Sequence, residues 1–379
     1  MPNKRIIQNA RPYFPEEDIE AITRDVQTLL RGGHLLGIGG AYTERFEKSF
    51  SSYIGTKHGV ATSSGSSALV AALRALGVRK DSEVIVPTNT FMASPNSVIY
   101  AGGKPVLADI DEKTLCLDVR DASKRITDKT IGVMAVHIAG LISNIEELTE
   151  LCRSKGLFLI EDAAHAHGAT FGGRKAGSLG DVGCFSFYPT KVVTSGEGGM
   201  VCTNDEEIAK KIRVLRYDGI GPDGLHVEFG ENWHMTEMGS ILGLSQLARV
   251  EEFVKRRNQI ASRYDEEIKK IDGISTIEIP PQTRCSYYKY PIIVDKNIDS
   301  TQIMLKLKSR FGIETGQLYY PPCHLQPVYR NAFGYNEGDL PVSEYVLKRM
   351  VCLPMHAKLT DDDVEYVLIS LKLVMEEAA

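Results

Sequence analysis

The sequence predicts an α/β protein built on a mainly parallel sheet, followed by a smaller α+β portion. Three observations carry this. From about residue 55, apolar β-branched runs (GVAT, EVIVP, KPVLADI, TIGVMAVHI, LFLIEDAA) alternate with stretches of helical period, the rhythm of strand–helix–strand units. Several runs are apolar throughout instead of alternating, as strands covered on both faces are. Beyond a long helical stretch from about Glu237 to Ile271, the texture changes to short strands and proline-rich turns.

Taken in order, the first well-marked helix follows the polar cluster Ser63-Ser64-Gly65-Ser66-Ser67. Leu69, Ala72, Leu73 and Leu76 recur at three-and-four spacing, and Gly77 ends it. IGVMAVHIAGLI reads as a buried parallel strand, too short to span a bilayer and interrupted by His137. The expected division places a large domain at 1–250, with an N-terminal helical segment, and a small domain at 251–379. The small domain would contain YKYPIIV, a helix around STQIMLKLKSRFG and the final DDDVEYVLISLKLVMEE.

Composition narrows the function. With 44 basic and 49 acidic residues, interspersed, the net charge of -5 offers no basic face for nucleic acid or a membrane surface. The 7 cysteines form no CxxC pair, which suits a reducing compartment and argues against a metal cluster. The N-terminus has no apolar signal-like core, so a cytoplasmic location is expected.

The stretch FSFYPTKVVTSGEGGM holds one lysine, Lys191, among apolar neighbours, followed by glycines. A lysine amine becomes a nucleophile when burial or nearby positive charge destabilises its ammonium form; the plain alternative is a surface lysine after a turn. Asp162 ends the strand LFLIED, where open α/β sheets bind ligands beyond the strand ends. A lysine nucleophile and an ionised acid in one crevice suit pyridoxal 5′-phosphate, which takes a lysine at its aldehyde and an acid at its pyridine nitrogen. The helix start SSGSSALVAAL offers free N–H groups, hydroxyls and a glycine to a phosphate, making Gly65, Ser66 and Ser67 candidates. Helix capping is the competing explanation. Ser186 adds a hydroxyl, and Phe91 is an aromatic able to stack on the pyridine ring.

These segments, in the order GSSAL, PTNTF…MASPNSVIYAGGKPVLADID, EDAAHAHGATFGGRKAGSLGD, FSFYPTK, GEGGM and ENWHMTEMGSILGLSQL, resemble the DegT/DnrJ/EryC1/StrS family of sugar aminotransferases over nearly the whole chain. The resemblance implies the fold type I of pyridoxal-phosphate enzymes, with a mainly parallel seven-stranded sheet flanked by helices, acting as a homodimer with shared active sites. It implies that Lys191 forms the internal aldimine, that Asp162 pairs with the pyridine nitrogen, and that His165 contacts the ring or its phenolic oxygen. Ser66, Ser67 and Ser186 would hold the phosphate, with Asn232 reaching it from the neighbouring subunit. YYPPCHLQPVY is similar to a substrate-lining segment, which nominates His324 and, less directly, Tyr319 or Tyr320. Tyr188, where many relatives carry histidine, and HLLG at 34–37 depart from the family pattern and bear on substrate identity.

The implied activity is transfer of an amino group from glutamate or glutamine to a keto sugar, most simply a nucleotide-linked 3- or 4-keto-6-deoxy sugar. Other readings are amination of a keto-cyclitol, a sugar dehydratase of the same fold, and a non-catalytic pyridoxal-phosphate-binding regulator. The dehydratase reading calls for histidine where Lys191 stands, and the regulator for an added DNA-binding region absent from this sequence.

Overall fold

The computed structural model describes residues 5–378. Seven strands form the main sheet: β1 (His58–Thr62), β2 (Glu83–Pro87), β3 (Lys104–Ala108), β4 (Thr130–Val136), β5 (Phe158–Asp162), β6 (Val182–Ser186) and β7 (Gly199–Thr203). Their spatial order is β1-β7-β6-β5-β4-β2-β3. β2–β3, β2–β4, β4–β5 and β5–β6 pair in parallel, and β7 alone runs against its neighbours β1 and β6.

Strand alternation builds the core on both sides of this sheet. Val84, Val86, Met134, Val136 and Ile160 feed one apolar cluster, while Ile85, Val133, Ala135 and Leu159 feed another. That two-sided burial explains why these segments read as continuous apolar runs. The helix Gly65–Ala75 covers the first face with Leu69, Ala72 and Leu73, and it stops where Gly77 takes a left-handed φ of 89°.

A second sheet holds β8 (Ile274–Thr276), β9 (Tyr290–Val294) and β10 (Met350–Leu353), antiparallel in that order. The helices Ser300–Phe311 and Asp361–Glu376 contribute Ile303, Leu307, Val367 and Leu371 to the apolar cluster this sheet shares.

Two features differ from the sequence reading. The stretch from Glu237 is two helices, Glu237–Ala248 and Val250–Ile268, separated at Arg249, whose backbone sits at φ -103°, ψ -2°. Arg249 is tied at 3.0 Å to Asp18 of the helix Glu16–Gly32 and also bonds Glu252 of the second helix, while buried residues such as Leu247, Val250 and Val254 continue the apolar period through the break. The first described residues lie with the C-terminal half: Ile7 bridges Ile313, with Ile7 N–H donating to Gly312 at 3.0 Å and Glu314 N–H donating to Ile7 at 2.8 Å. No helix among the described residues is long and apolar enough to cross a membrane.

Candidate active site

The parallel strands end around a cavity of about 410 Å³ whose wall includes Asp162, His165, Ser186, Tyr188 and Lys191. Its location at the carboxyl ends of the strands is where open α/β sheets gather ligand-binding loops.

β6 and β7 are antiparallel neighbours, and the segment between them, residues 187–198, carries Lys191. Its ends are closed by Phe187 N–H to Gly198 at 2.8 Å and Ser195 N–H to Phe187 at 3.0 Å. The loop is thereby held against the sheet and Lys191 is directed to the cavity, with Nζ 4.6 Å from the centre of the Tyr288 ring. Burial, only partly offset by the Asp162 carboxylate and reinforced by Lys289, pushes the ammonium down to about 8. A neutral amine is accessible near physiological pH.

Asp162 ends β5 on the face of Ile160, and its neighbour Glu161 points to the other. Its Oδ2 accepts from Ser94 Oγ at 2.6 Å and its Oδ1 from Ala164 N–H at 3.1 Å. His165 is buried, and its ring stacks on Tyr288 at 4.1 Å between centres. Burial above all, then the positive charges of Lys191 and Lys289, hold the imidazole well below its ordinary range, so it is neutral. Nε2 is 2.9 Å from the Tyr319 hydroxyl, and Nδ1 is buried without a partner among the described residues.

The helix Gly65–Ala75 begins at the same wall. Its first N–H groups have no acceptor inside the helix, and Ser64, Gly65, Ser66 and Ser186 all line the cavity. A side chain at Gly65 would meet Ser186 Cβ at 2.6 Å, so only glycine allows the helix start to approach β6 this closely. Gly199 plays a matching part on β7, where an added Cβ would collide with the Ser64 carbonyl.

Of the other nominated residues, Phe91 and Tyr188 line the cavity and remain largely exposed. Ser67 does not line it: its hydroxyl accepts from Ser64 N–H at 2.9 Å and its own N–H donates to Ser64 Oγ at 3.1 Å. Both groups are spent on a capping box. His324 is also absent from the wall. It is fully buried, with Nδ1 2.8 Å from Thr88 Oγ1 and Nε2 2.9 Å from Glu344 Oε1, so both ring nitrogens are satisfied within the fold. At the tyrosine pair, Tyr319 faces the cavity from a left-handed backbone (φ 59°), and Tyr320 does not line it. Asn232 is exposed, bridges Tyr217, and lies outside this chain's cavity wall.

Sequence reasoning passed over Thr90, Ser94, Thr190, Glu197 and Tyr288, which also line the cavity. Tyr288 packs against Lys191 and His165 and places its hydroxyl 2.9 Å from that of Thr190. The only signal for it was the aromatic-rich run SYYKY, which reads equally well as a strand.

The donor set fits pyridoxal phosphate. A lysine amine with a lowered pKa, a buried carboxylate, an unpartnered imidazole nitrogen and a glycine-lined helix start converge on one cavity. The model of the DegT/DnrJ/EryC1/StrS aminotransferase family matches residues 16–372. The spore coat polysaccharide biosynthesis protein SpsC of Bacillus subtilis is 35% identical over 382 residues, covering 97% of this chain and 96% of that protein. GDP-perosamine synthase of Caulobacter vibrioides is 36% identical over 340 residues, covering 89% of this chain and 91% of its own. A putative sugar aminotransferase from Streptococcus pneumoniae, solved in its PLP form, superposes with a TM-score of 0.92 at 27% identity, covering 99% of this chain and 100% of the other. The chain belongs to the DegT/DnrJ/EryC1/StrS aminotransferase family and is a pyridoxal-phosphate-dependent aminotransferase.

Proposed function

We propose that this enzyme moves an amino group from glutamate or glutamine to the ketone of a sugar, most simply a nucleotide-linked 3- or 4-keto-6-deoxy sugar, in amino-sugar biosynthesis. The observation that carries the reading is the convergence of Lys191, Asp162 and the Gly65–Ser66 helix start on one cavity. Support for a sugar acceptor comes from relatives whose names tie them to a spore coat polysaccharide and to GDP-perosamine.

When bound, pyridoxal phosphate supplies a conjugated ring that takes up the electron pair left when a proton departs from the donor's α-carbon. The chain's residues divide the remaining work. Lys191 Nζ would provide the amine that holds the aldehyde, and with its lowered pKa the free amine would be a base able to take and return one proton. Asp162, fixed in place by its two hydrogen bonds, would stabilise positive charge on the pyridine nitrogen. The N–H groups of Gly65 and Ser66, with the Ser186 hydroxyl, line the cavity and would hold the phosphate. His165, neutral and on the cavity wall, would meet the ring without adding charge.

The site is shared between two copies in this proposal. Asn232 lies in a segment that also exposes Leu225, Val227 and Phe229, the last at 90%, and these are apolar side chains suited to burial against a neighbour.

The test is an absorbance spectrum of the protein with pyridoxal phosphate, before and after L-glutamate and then L-glutamine, beside Lys191→Ala. Loss of the lysine-dependent band on adding either donor supports amino transfer; failure with both donors refutes it. An acceptor panel of nucleotide keto sugars and keto-cyclitols then separates the sugar reading from the cyclitol one.

A further inference from the structure

Asp162 is not an isolated carboxylate. Ser94, on the helix Ala93–Tyr100 and 68 residues away in sequence, donates its hydroxyl to Oδ2 at 2.6 Å. A second hydroxyl, Thr90 Oγ1, is 2.6 Å from Ser94 Oγ. Ser94 is fully buried and Thr90 2% exposed, so bulk water does not compete for these groups.

The direction of the chain follows from proton count. An ionised carboxylate only accepts, so Ser94 spends its single proton on Asp162 and its oxygen is left to accept; Thr90 must then be the donor to Ser94. The order Thr90 → Ser94 → Asp162 is therefore fixed while Asp162 is charged. Thr90 is held in turn from behind: its carbonyl accepts from Cys323 Sγ at 3.1 Å, and two residues earlier Thr88 accepts at its carbonyl from Cys323 N–H at 3.1 Å. Short hydrogen bonds to a charged acceptor in a dry site are the strong kind, and successive hydroxyls polarise one another.

We propose that Ser94, backed by Thr90, is a positioning residue that holds the Asp162 carboxylate aimed at the pyridine nitrogen. The inference rests on the pyridoxal-phosphate reading of the cavity. With the Ser94 hydroxyl removed, the carboxylate loses one of its two donors and is free to turn from its aim. Its contact with the ring nitrogen then weakens, so that nitrogen is less readily protonated and the ring becomes a weaker acceptor of electrons. Ser94 itself takes up or releases no proton.

The experiment uses holoenzyme reconstituted with pyridoxal phosphate carrying ¹⁵N in its ring, comparing the parent with Ser94→Ala, Ser94→Thr and Thr90→Val. The readouts are the ring-nitrogen chemical shift, the single-turnover rate with the donor amino acid, and the thermal midpoint of the apoprotein. Ser94→Ala should move the ring-nitrogen resonance toward that of an unprotonated pyridine and slow the single turnover about tenfold, as expected for a lost charged hydrogen bond. Thr90→Val should shift both in the same direction by less, and Ser94→Thr, which keeps a hydroxyl, should restore both toward the parent.

A resonance and turnover rate unchanged in Ser94→Ala would overturn the proposal. So would a lowered thermal midpoint and slower turnover with an unmoved resonance, because that pattern marks a packing role. A parent protein that takes up no cofactor, or accepts no amino group, refutes the aminotransferase reading itself and is seen before any variant is made.

Discussion

Glu161 and Asp162 are consecutive acids at the end of one strand, yet alternation sends them to opposite faces and into opposite kinds of surroundings. Glu161 is fully buried and saturated: it accepts from His137 Nε2 at 2.8 Å and from the N–H groups of Gly177, Leu179 and Gly180, each at 2.7 Å. Burial alone would push its carboxyl up, but His137 and those backbone donors together hold it below the usual range. Asp162 has two donors and a cavity in front of it. The pair teaches that a buried acid is not thereby a catalytic one. Glu161 has its partners within the fold, whereas Asp162 has an open side from which a cation can approach.

The largest effect should come from the cavity side. Asp162→Asn keeps shape and loses charge, and donor turnover should fall on the order of a thousandfold while the apoprotein unfolds at nearly the parent's temperature. Lys191→Ala should abolish turnover altogether, read as loss of the lysine-dependent absorbance band. On the other face, Glu161→Gln strips a charge from a buried network and leaves His137 and three N–H groups poorly paired. A stability loss of about 3 kcal/mol is expected, measured as a lower urea midpoint at unchanged slope. Equal losses of stability in both variants would erase the distinction between the two acids.

How much of this was legible in the sequence depends on the distance over which a residue finds its partners. The parallel sheet could be read because two-sided burial writes itself as apolar runs within single segments. Lys191, Asp162, Gly65, Ser66 and Ser186 could be nominated because each stands at a strand end, a strand-following loop or a helix start, positions that local pattern identifies. Ser94 could not be tied to Asp162, since 68 residues separate them and only the stacking of two strand–helix units brings them together. His324 misled for the same reason in reverse. A histidine in a proline-rich segment looks like a loop contact until the fold sets Glu344 and Thr88 on its two nitrogens. Ser67 looked like a phosphate ligand, but its proximity to Ser64 commits it to the capping box at the helix start.

The lysine extends the comparison to pH. Its folded-state pKa of about 8 lies below the 10.5 of an exposed lysine, so the neutral amine that condenses with an aldehyde accumulates earlier. Cofactor incorporation into apoprotein should speed up about tenfold per pH unit below 8 and level off above it. The folded apoprotein releases this proton near pH 8, while the unfolded chain keeps it to about 10.5, so this group's contribution to stability rises with pH between those values. Below pH 8, Lys191→Met should therefore stabilise the apoprotein, by on the order of 2 kcal/mol after allowing for partial solvent screening. An incorporation rate still climbing steeply at pH 9.5 would show that Lys191 is not desolvated.

Two histidines test the same principle with smaller effects. His324 has both nitrogens met and does not line the cavity, so His324→Gln should cost about 1–2 kcal/mol of stability with KM for both substrates essentially unchanged. A raised KM without a stability loss would return His324 to the substrate-binding role that the sequence suggested.

The smallest effect is expected at the Tyr319–His165 bond. Tyr319→Phe leaves Nε2 of a buried, neutral imidazole without its 2.9 Å partner, which frees the ring to rotate while Tyr288 still packs on it. A lost neutral hydrogen bond is worth about 1 kcal/mol, so the thermal midpoint should fall slightly and single turnover should slow by no more than about fivefold. Tyr320→Phe provides the control, since Tyr320 lies outside the cavity wall and should leave the rate unaffected. If the two variants slow turnover equally, the orientation of His165 does not depend on the Tyr319 hydroxyl, and ring stacking on Tyr288 suffices to hold it.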